Sequence, residues 1–234
     1  FGVKQRKELR KKGGLSVDKN AITPHLLSMT ATPIPRTLAL TIFGDLDLSV
    51  LDELPKGRQI PETKIALSDE RDDVYEKMRK EIQSGRQAYV ICPRIDPAKE
   101  EASSMSSYFA PKNMRSVTEE TERLQKKIFP EFKVGSITGK MTPTEKQNTM
   151  RDFKENKFQI LVATSVVEVG VNVPNATVIV IENSERFGLS QLHQLRGRVL
   201  RSSHKPYCFV FAESKSEKTI ERLKSFVRAK NGFE

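Results

Sequence analysis

The chain of 234 residues has no apolar run approaching the roughly 18 residues that a bilayer crossing needs, which excludes a membrane-spanning helix. Cysteine is almost absent. Cys92 and Cys208 each sit inside an apolar run, without the spacing of a metal site, and read as buried thiols of a reducing, cytoplasmic compartment. Histidine is as sparse: His25, His193 and His204 are scattered and read as structural or surface residues. A phosphate-binding loop ending in Gly-Lys-Ser/Thr is missing, because Gly139-Lys140-Met141 lacks both the upstream glycine and the hydroxyl residue. Missing too is an Asp-Glu pair closing an apolar strand, the usual magnesium holder, since Asp52-Glu53 runs into the turn at Pro55-Lys56-Gly57. By itself the chain is therefore not expected to hydrolyse a nucleoside triphosphate. The opening Phe1-Gly2-Val3-Lys4 has no secretory pattern and is expected to be a cut inside a longer protein.

What is present is basic charge. Lys plus Arg is 40 against 30 for Asp plus Glu, a formal net charge of +10, which favours a polyanionic partner such as nucleic acid through counterion release. Solubility is the plainer explanation of the same surplus. The hydrophobic fraction of 37% falls in short dense runs, enough for a packed core and unlike a disordered chain.

Those runs predict strands over 63–67, 88–92, 133–138, 159–164, 177–181 and 207–212, several without alternation, as strands covered on both faces require. Helices are predicted between them. One follows Ser68, carries Asp69 and Glu70 in its first turn, buries Val74, Met78 and Ile82, and stops at Gly85. A second opens on the capping box Thr142-Pro143-Thr144-Glu145 and buries Met150 and Phe153. A third opens on Ser214-Lys215-Ser216-Glu217 and buries Ile220, Leu223 and Val227. Strands alternating with helices place the chain in the α/β class, with a parallel sheet and right-handed crossovers. Residues 4–20 read as an exposed basic segment, 94–115 as an excursion between a strand and a helix, and 55–58 as a boundary.

Three runs carry candidate chemistry. In Gln191-Leu192-His193-Gln194-Leu195-Arg196-Gly197-Arg198-Val199-Leu200-Arg201, the spacing puts Arg198 and Arg201 on one helical face. Guanidinium forks suit a terminal phosphate, although a basic helix end alone would look the same. In residues 160–174 a buried strand empties into a polar loop, where Thr164 and Ser165 could hold a phosphate oxygen or simply end a strand. In Met29-Thr30-Ala31-Thr32-Pro33-Ile34-Pro35-Arg36-Thr37, hydroxyl residues precede a proline-stiffened turn. The basic stretch 4–12 and Lys218, Arg222 and Lys224 of the last helix suit either a DNA backbone or plain solvation.

In this order the three runs resemble motifs III (Thr30-Ala31-Thr32), V (160–174) and VI (191–201) of superfamily 2 helicases. The stretch Gly44-Asp45-Leu46-Asp47-Leu48-Ser49-Val50-Leu51-Asp52-Glu53-Leu54-Pro55 and the run Glu182-Asn183-Ser184-Glu185-Arg186-Phe187-Gly188-Leu189 look like the RecG branch. The resemblance implies a RecA-like parallel sheet flanked by helices. Residues 1–57 would be the tail of a first motor domain, 58–213 the second, and 214–234 the start of a coupling helical hairpin. It implies an ATP-dependent translocase that remodels branched duplex DNA in repair and recombination, with ATP and Mg2+ bound mainly by the first motor domain of the same protein. Arg198 and Arg201 would then reach the γ-phosphate, and Gln194, Gly170 and Asn172 would contact nucleotide. Thr30, Thr32, Thr164, Ser165 and Glu168 would touch DNA or couple the two domains. Two positions depart from the family pattern: Leu200 replaces a glycine beside the arginines, and Asn172 replaces an aspartate. Two rivals share part of the signal, the translocase of transcription-repair coupling and a non-enzymatic nucleic-acid-binding module.

Overall fold

Runs such as Gln87-Ala88-Tyr89-Val90-Ile91-Cys92 leave no polar face for water, so they need cover on both sides. In a computed structural model they become interior strands of a parallel sheet. The structure describes residues 27, 49, 59–93, 116–164, 173–200, 204–214 and 216–229. The sheet is built from β1 (Glu62–Ala66), β2 (Gln87–Cys92), β3 (Val134–Ile137), β4 (Ile160–Thr164), β5 (Ala176–Ile181) and β6 (Tyr207–Phe211). Its order is β1-β6-β5-β2-β4-β3, with every neighbouring pair parallel. Each strand ends within one residue of the position expected from sequence. The interior strands β2, β5 and β6 are buried along their whole length, while the edge strands β1 and β3 are partly open.

Helices cover both faces. On one side lie α1 (Arg71–Gln83) and α2 (Val117–Arg123), contributing Val74, Tyr75, Met78, Ile82 and Val117 to a core with Val90, Val162 and Val180. On the other lie α3 (Pro143–Lys154), α4 (Leu189–Arg196) and α5 (Glu217–Arg228), contributing Met150, Phe153, Leu192, Leu195, Leu223 and Phe226 against Tyr89, Leu161 and Ile179. The chain divides into two units, Phe1–Ala31 and Thr32–Glu234; Leu27 is the described residue of the first. The expected basic segment at 4–20, the boundary at 55–58 and the excursion at 94–115 lie outside the described residues.

The predicted helix ends have clear causes. After α1, Gly85 takes φ +87, the N–H of Gly85 reaches Ile82 O at 2.9 Å and that of Arg86 reaches Glu81 O at 3.1 Å, a Schellman stop that glycine adopts without strain. The capping box of α3 forms as expected: the Thr142 N–H donates to Glu145 Oε2 at 2.7 Å, and the Glu145 N–H to Thr142 Oγ1 at 3.3 Å. The Thr142 backbone N–H, joined by the Thr142 hydroxyl, holds the Glu145 carboxyl below its ordinary value. The box is thus complete above the usual carboxylate range and is lost as pH falls through the lowered value. Thr142→Ala is expected to cost about 1 kcal/mol in a denaturant titration, and Glu145→Gln to remove the acid-side loss of α3 signal.

The start of α5 differs from expectation. Its N-cap is Ser216 rather than Ser214, without a side-chain cap bond, and the Ser214 hydroxyl instead accepts from the Ser216 N–H at 3.3 Å. Leu223 is buried as expected, but Ile220 and Val227 are only half-buried, and Phe226 is buried instead, its ring packed edge-on against His193 of α4.

A close approach fixes one glycine. A Cβ at Gly135 would lie 2.5 Å from the ring of Phe158, which stacks on Phe153 at 5.4 Å between centroids. Gly135→Ala is expected to displace that ring and destabilise the sheet edge by about 1–3 kcal/mol, read as a lowered denaturant midpoint.

Candidate functional site

Parallel pairing brings the carboxyl ends of all six strands to one edge of the sheet, the edge at which open α/β sheets bind ligands. Thr164 closes β4 there, half-buried and in register with Cys92 of β2. The residue after β5, Glu182, is forced inside by the wholly buried strand preceding it.

Glu182 is the centre of a buried ionic cluster at this edge. Arg71, at the start of α1, grips it with two bonds: Nη1 to Oε1 at 3.0 Å and Nη2 to Oε2 at 2.8 Å. The side chains are 17% and 7% exposed, so the pair is shielded from solvent screening. Glu213, after β6, lies 3.9 Å from the same guanidinium. The Tyr75 hydroxyl accepts from Arg71 at 3.2 Å and from Arg123 at 2.5 Å, and Arg123 is paired with buried Glu120 at 2.6 Å. Burial pushes the Glu182 carboxyl up, and the Arg71 fork pulls it back. Burial works against charge on Arg71 and Arg123 as well, but their carboxylate partners outweigh it and hold both above the ordinary value. Burial, aided by the charge on Glu182, also raises Tyr75, which stays protonated while it accepts from both guanidinium groups.

The run after β5 leads into α4. This helix ends at Arg196 with Gly197 as its C-cap, so Arg198 lies in the following turn and not on a helical face. That corrects the sequence expectation: Gly197 is a poor helix former, and the buried Val199 pulls the chain inward. The Arg198 N–H closes the turn on Leu195 O at 2.9 Å. Arg196, which sequence reasoning left without a role, is 5% exposed and donates to Phe226 O of α5 at 3.2 Å. Its Nη2 lies 3.0 Å from His193 Nδ1, and since a guanidinium only donates, Nδ1 must accept. Burial first, then the charge on Arg196, holds His193 below its ordinary value and neutral. Arg222 of α5 donates to Glu185 O at 2.7 Å and to Phe187 O at 3.2 Å, so it serves the fold and is not a free surface charge. Among the described residues the Arg198 guanidinium has no hydrogen-bond or ion-pair partner, unlike Arg71, Arg123, Arg196 and Arg222.

Leu200 is half-buried in the same turn, and its φ is not among the positive values. The backbone there does not demand glycine, so the departure from the family pattern costs no local strain. Gln194 is exposed on α4, and Thr164 belongs to a separate segment. Thr30, Thr32, Ser165, Glu168, Gly170, Asn172 and Arg201 lie outside the described residues. Neither Cys92 nor Cys208 forms a disulfide, both are fully buried, and burial pushes the Cys208 thiol up to about 12, an inert core thiol as expected. Among the described residues no group of three or more His, Cys, Asp or Glu could hold a metal ion, and no helix is long and apolar enough to cross a membrane.

Residues 70–203, more than half of the chain, match the model of the helicase conserved C-terminal domain. The chain belongs to the helicase conserved C-terminal domain family. Within this family it is similar to ATP-dependent DNA helicase RecG of Synechocystis, 48% identical over 233 residues, covering 100% of this chain and 26% of the relative. RecG of Bacillus subtilis is 46% identical over 234 residues, covering 100% of this chain and 32% of the relative. The chain thus spans about a quarter to a third of the curated relatives it matches. A solved structure of RecG bound to a three-way DNA junction aligns with a TM-score of 0.73 at 40% identity, over 93% of this chain and 27% of that one. The sheet flanked by helices is the RecA-like arrangement of helicase C-terminal domains, as the sequence resemblance implied.

Proposed function

We propose that this chain is the second motor half of a RecG-type translocase that couples ATP hydrolysis to remodelling of branched duplex DNA. The observation that carries the reading is the 40% identical structural match, over 93% of the chain, to RecG held on a three-way junction. Residues 1–57 would close the first motor domain, 58–213 form the second, and 214–234 begin the coupling hairpin. DNA and the first motor domain of the same protein are its partners, and the cytoplasm is its compartment.

ATP would lie between the two motor domains, its Mg2+ held mainly by the first. A bound nucleotide supplies the transferring phosphoryl group. This chain's part is charge: the guanidinium of Arg198, without a partner among the described residues, would with Arg201 neutralise the terminal phosphate as charge develops on it. Gln194, Gly170 and Asn172 would complete the nucleotide contact. Thr164 and Ser165, where β4 opens onto the sheet edge, would take backbone phosphate of the nucleic acid, with Glu168, Thr30 and Thr32 coupling that contact to the cleft.

The test is strand displacement by the full-length protein on a labelled three-way junction against a linear duplex of equal length. ATP-dependent dissociation of the junction is expected, with little action on the duplex. Equal action on both would overturn the branched-DNA reading.

A further inference from the structure

We propose that Arg71 and Glu182 are positioning residues: their two-pronged ion pair fixes the connection between β5 and α4, and through it the setting of Arg198. This rests on the reading of Arg198 given above. A single ionic contact restrains a distance, whereas two parallel N–H···O bonds restrain direction as well. The bonds of 3.0 and 2.8 Å between Arg71 and Glu182 are of that kind.

Arg71 is itself immobilised. Its guanidinium lies 4.1 Å over the ring of Phe211, and it shares the Tyr75 hydroxyl with Arg123, which buried Glu120 anchors. The ends of α1, α2, β5 and β6 are therefore linked through the Arg71 guanidinium and the Tyr75 hydroxyl, and Arg71 carries that linkage to the Glu182 carboxylate.

Beyond Glu182 the chain is stiff. The Glu182 N–H donates to Ile91 O at 2.8 Å, Asn183 takes the left-handed φ of 46, and the N–H groups of Arg186 and Phe187 close on Asn183 O and Ser184 O at 3.0 and 3.1 Å. Phe187 is buried, Gly188 opens α4, and α4 has only eight residues before Gly197 and Arg198. A displacement at Glu182 reaches the Arg198 turn without crossing a flexible joint.

Stability alone does not account for the pair. Desolvation of two buried charges offsets most of their attraction, and apolar replacements of similar volume are often neutral or stabilising. What such residues cannot replace is orientation.

The test uses the full-length protein and three variants: Arg71→Met with Glu182→Leu, Arg71→Lys, and Arg198→Ala. Melting temperature, kcat and KM for ATP at saturating junction DNA, and junction affinity without nucleotide are measured for each. The double variant is expected to melt within about 3 °C of wild type or above it. Its kcat should fall about tenfold or more, with KM and junction affinity within about twofold. Arg71→Lys, which keeps the charge and loses the fork, should show the same split. Wild-type kcat in a folded double variant would overturn the proposal. Should the double variant not fold, wild-type kcat in Arg71→Lys does so. If Arg198→Ala keeps full turnover, the reading of Arg198 fails and the positioning role falls with it. If Arg198→Ala loses turnover while the pair variants keep it, the positioning role alone is wrong.

Discussion

Arg198→Ala in the full-length protein is expected to lower DNA-stimulated ATP turnover by about 10³–10⁵-fold, the range that removing an arginine from a transferring phosphoryl group produces. The loss should fall on kcat with KM for ATP little changed, because the guanidinium meets its full charge only in the transition state. Junction binding should persist, since the proposed contacts to backbone phosphate are at Thr164 and Ser165 and not at Arg198. Arg198→Lys should not rescue turnover: an ammonium is a point charge without the planar fork. The expectation stands on the likeness of residues 191–201 to motif VI, and the guanidinium is available for the role: among the described residues it has no protein partner, whereas Arg71, Arg123, Arg196 and Arg222 are each committed to protein groups. Kinetics at saturating DNA check it. A loss confined to KM would mean that Arg198 only binds nucleotide.

The second large effect is on stability. Arg71→Met alone leaves Glu182 buried beside Ile181 with its fork partner gone. Breaking one side of a buried pair costs about 3–5 kcal/mol, or a fall of roughly 10 °C in melting temperature for a domain of this size. The sign with pH follows from Glu182, whose carboxyl burial already pushes up and which loses the opposing pull of Arg71. A carboxyl raised in the folded state is at no disadvantage below its ordinary value, and destabilises increasingly as pH rises toward the raised one. The melting deficit of Arg71→Met should therefore narrow on acidification and widen toward neutrality. Adding Glu182→Leu should restore most of the loss, which makes the pair a strongly coupled double-mutant cycle. A deficit independent of pH would mean that the lost Phe211 and Tyr75 contacts, not the stranded charge, cause it.

The strands were legible because burial on both faces leaves a signature in composition: Ala176-Thr177-Val178-Ile179-Val180-Ile181 has few alternatives. The stops at Gly85 and the box at Thr142 were legible because local chemistry alone decides them. Three features were not, and each depends on distant packing. α4 ends early because Val199 turns into the core. α5 starts two residues late and buries Phe226 because of its fit against α4. The Arg71–Glu182 pair joins positions 111 residues apart, and only the sheet order brings them together. One signal could have pointed to it: a charged residue directly after a fully apolar strand must find an opposite charge nearby.

The most direct measurement is ATP turnover by this chain with and without the separately expressed upstream half, on forked DNA. Turnover only when both halves are present, abolished by Arg198→Ala, is the predicted result. Hydrolysis by this chain alone, or a combined pair that binds forked DNA yet never turns over, would contradict the split-motor account.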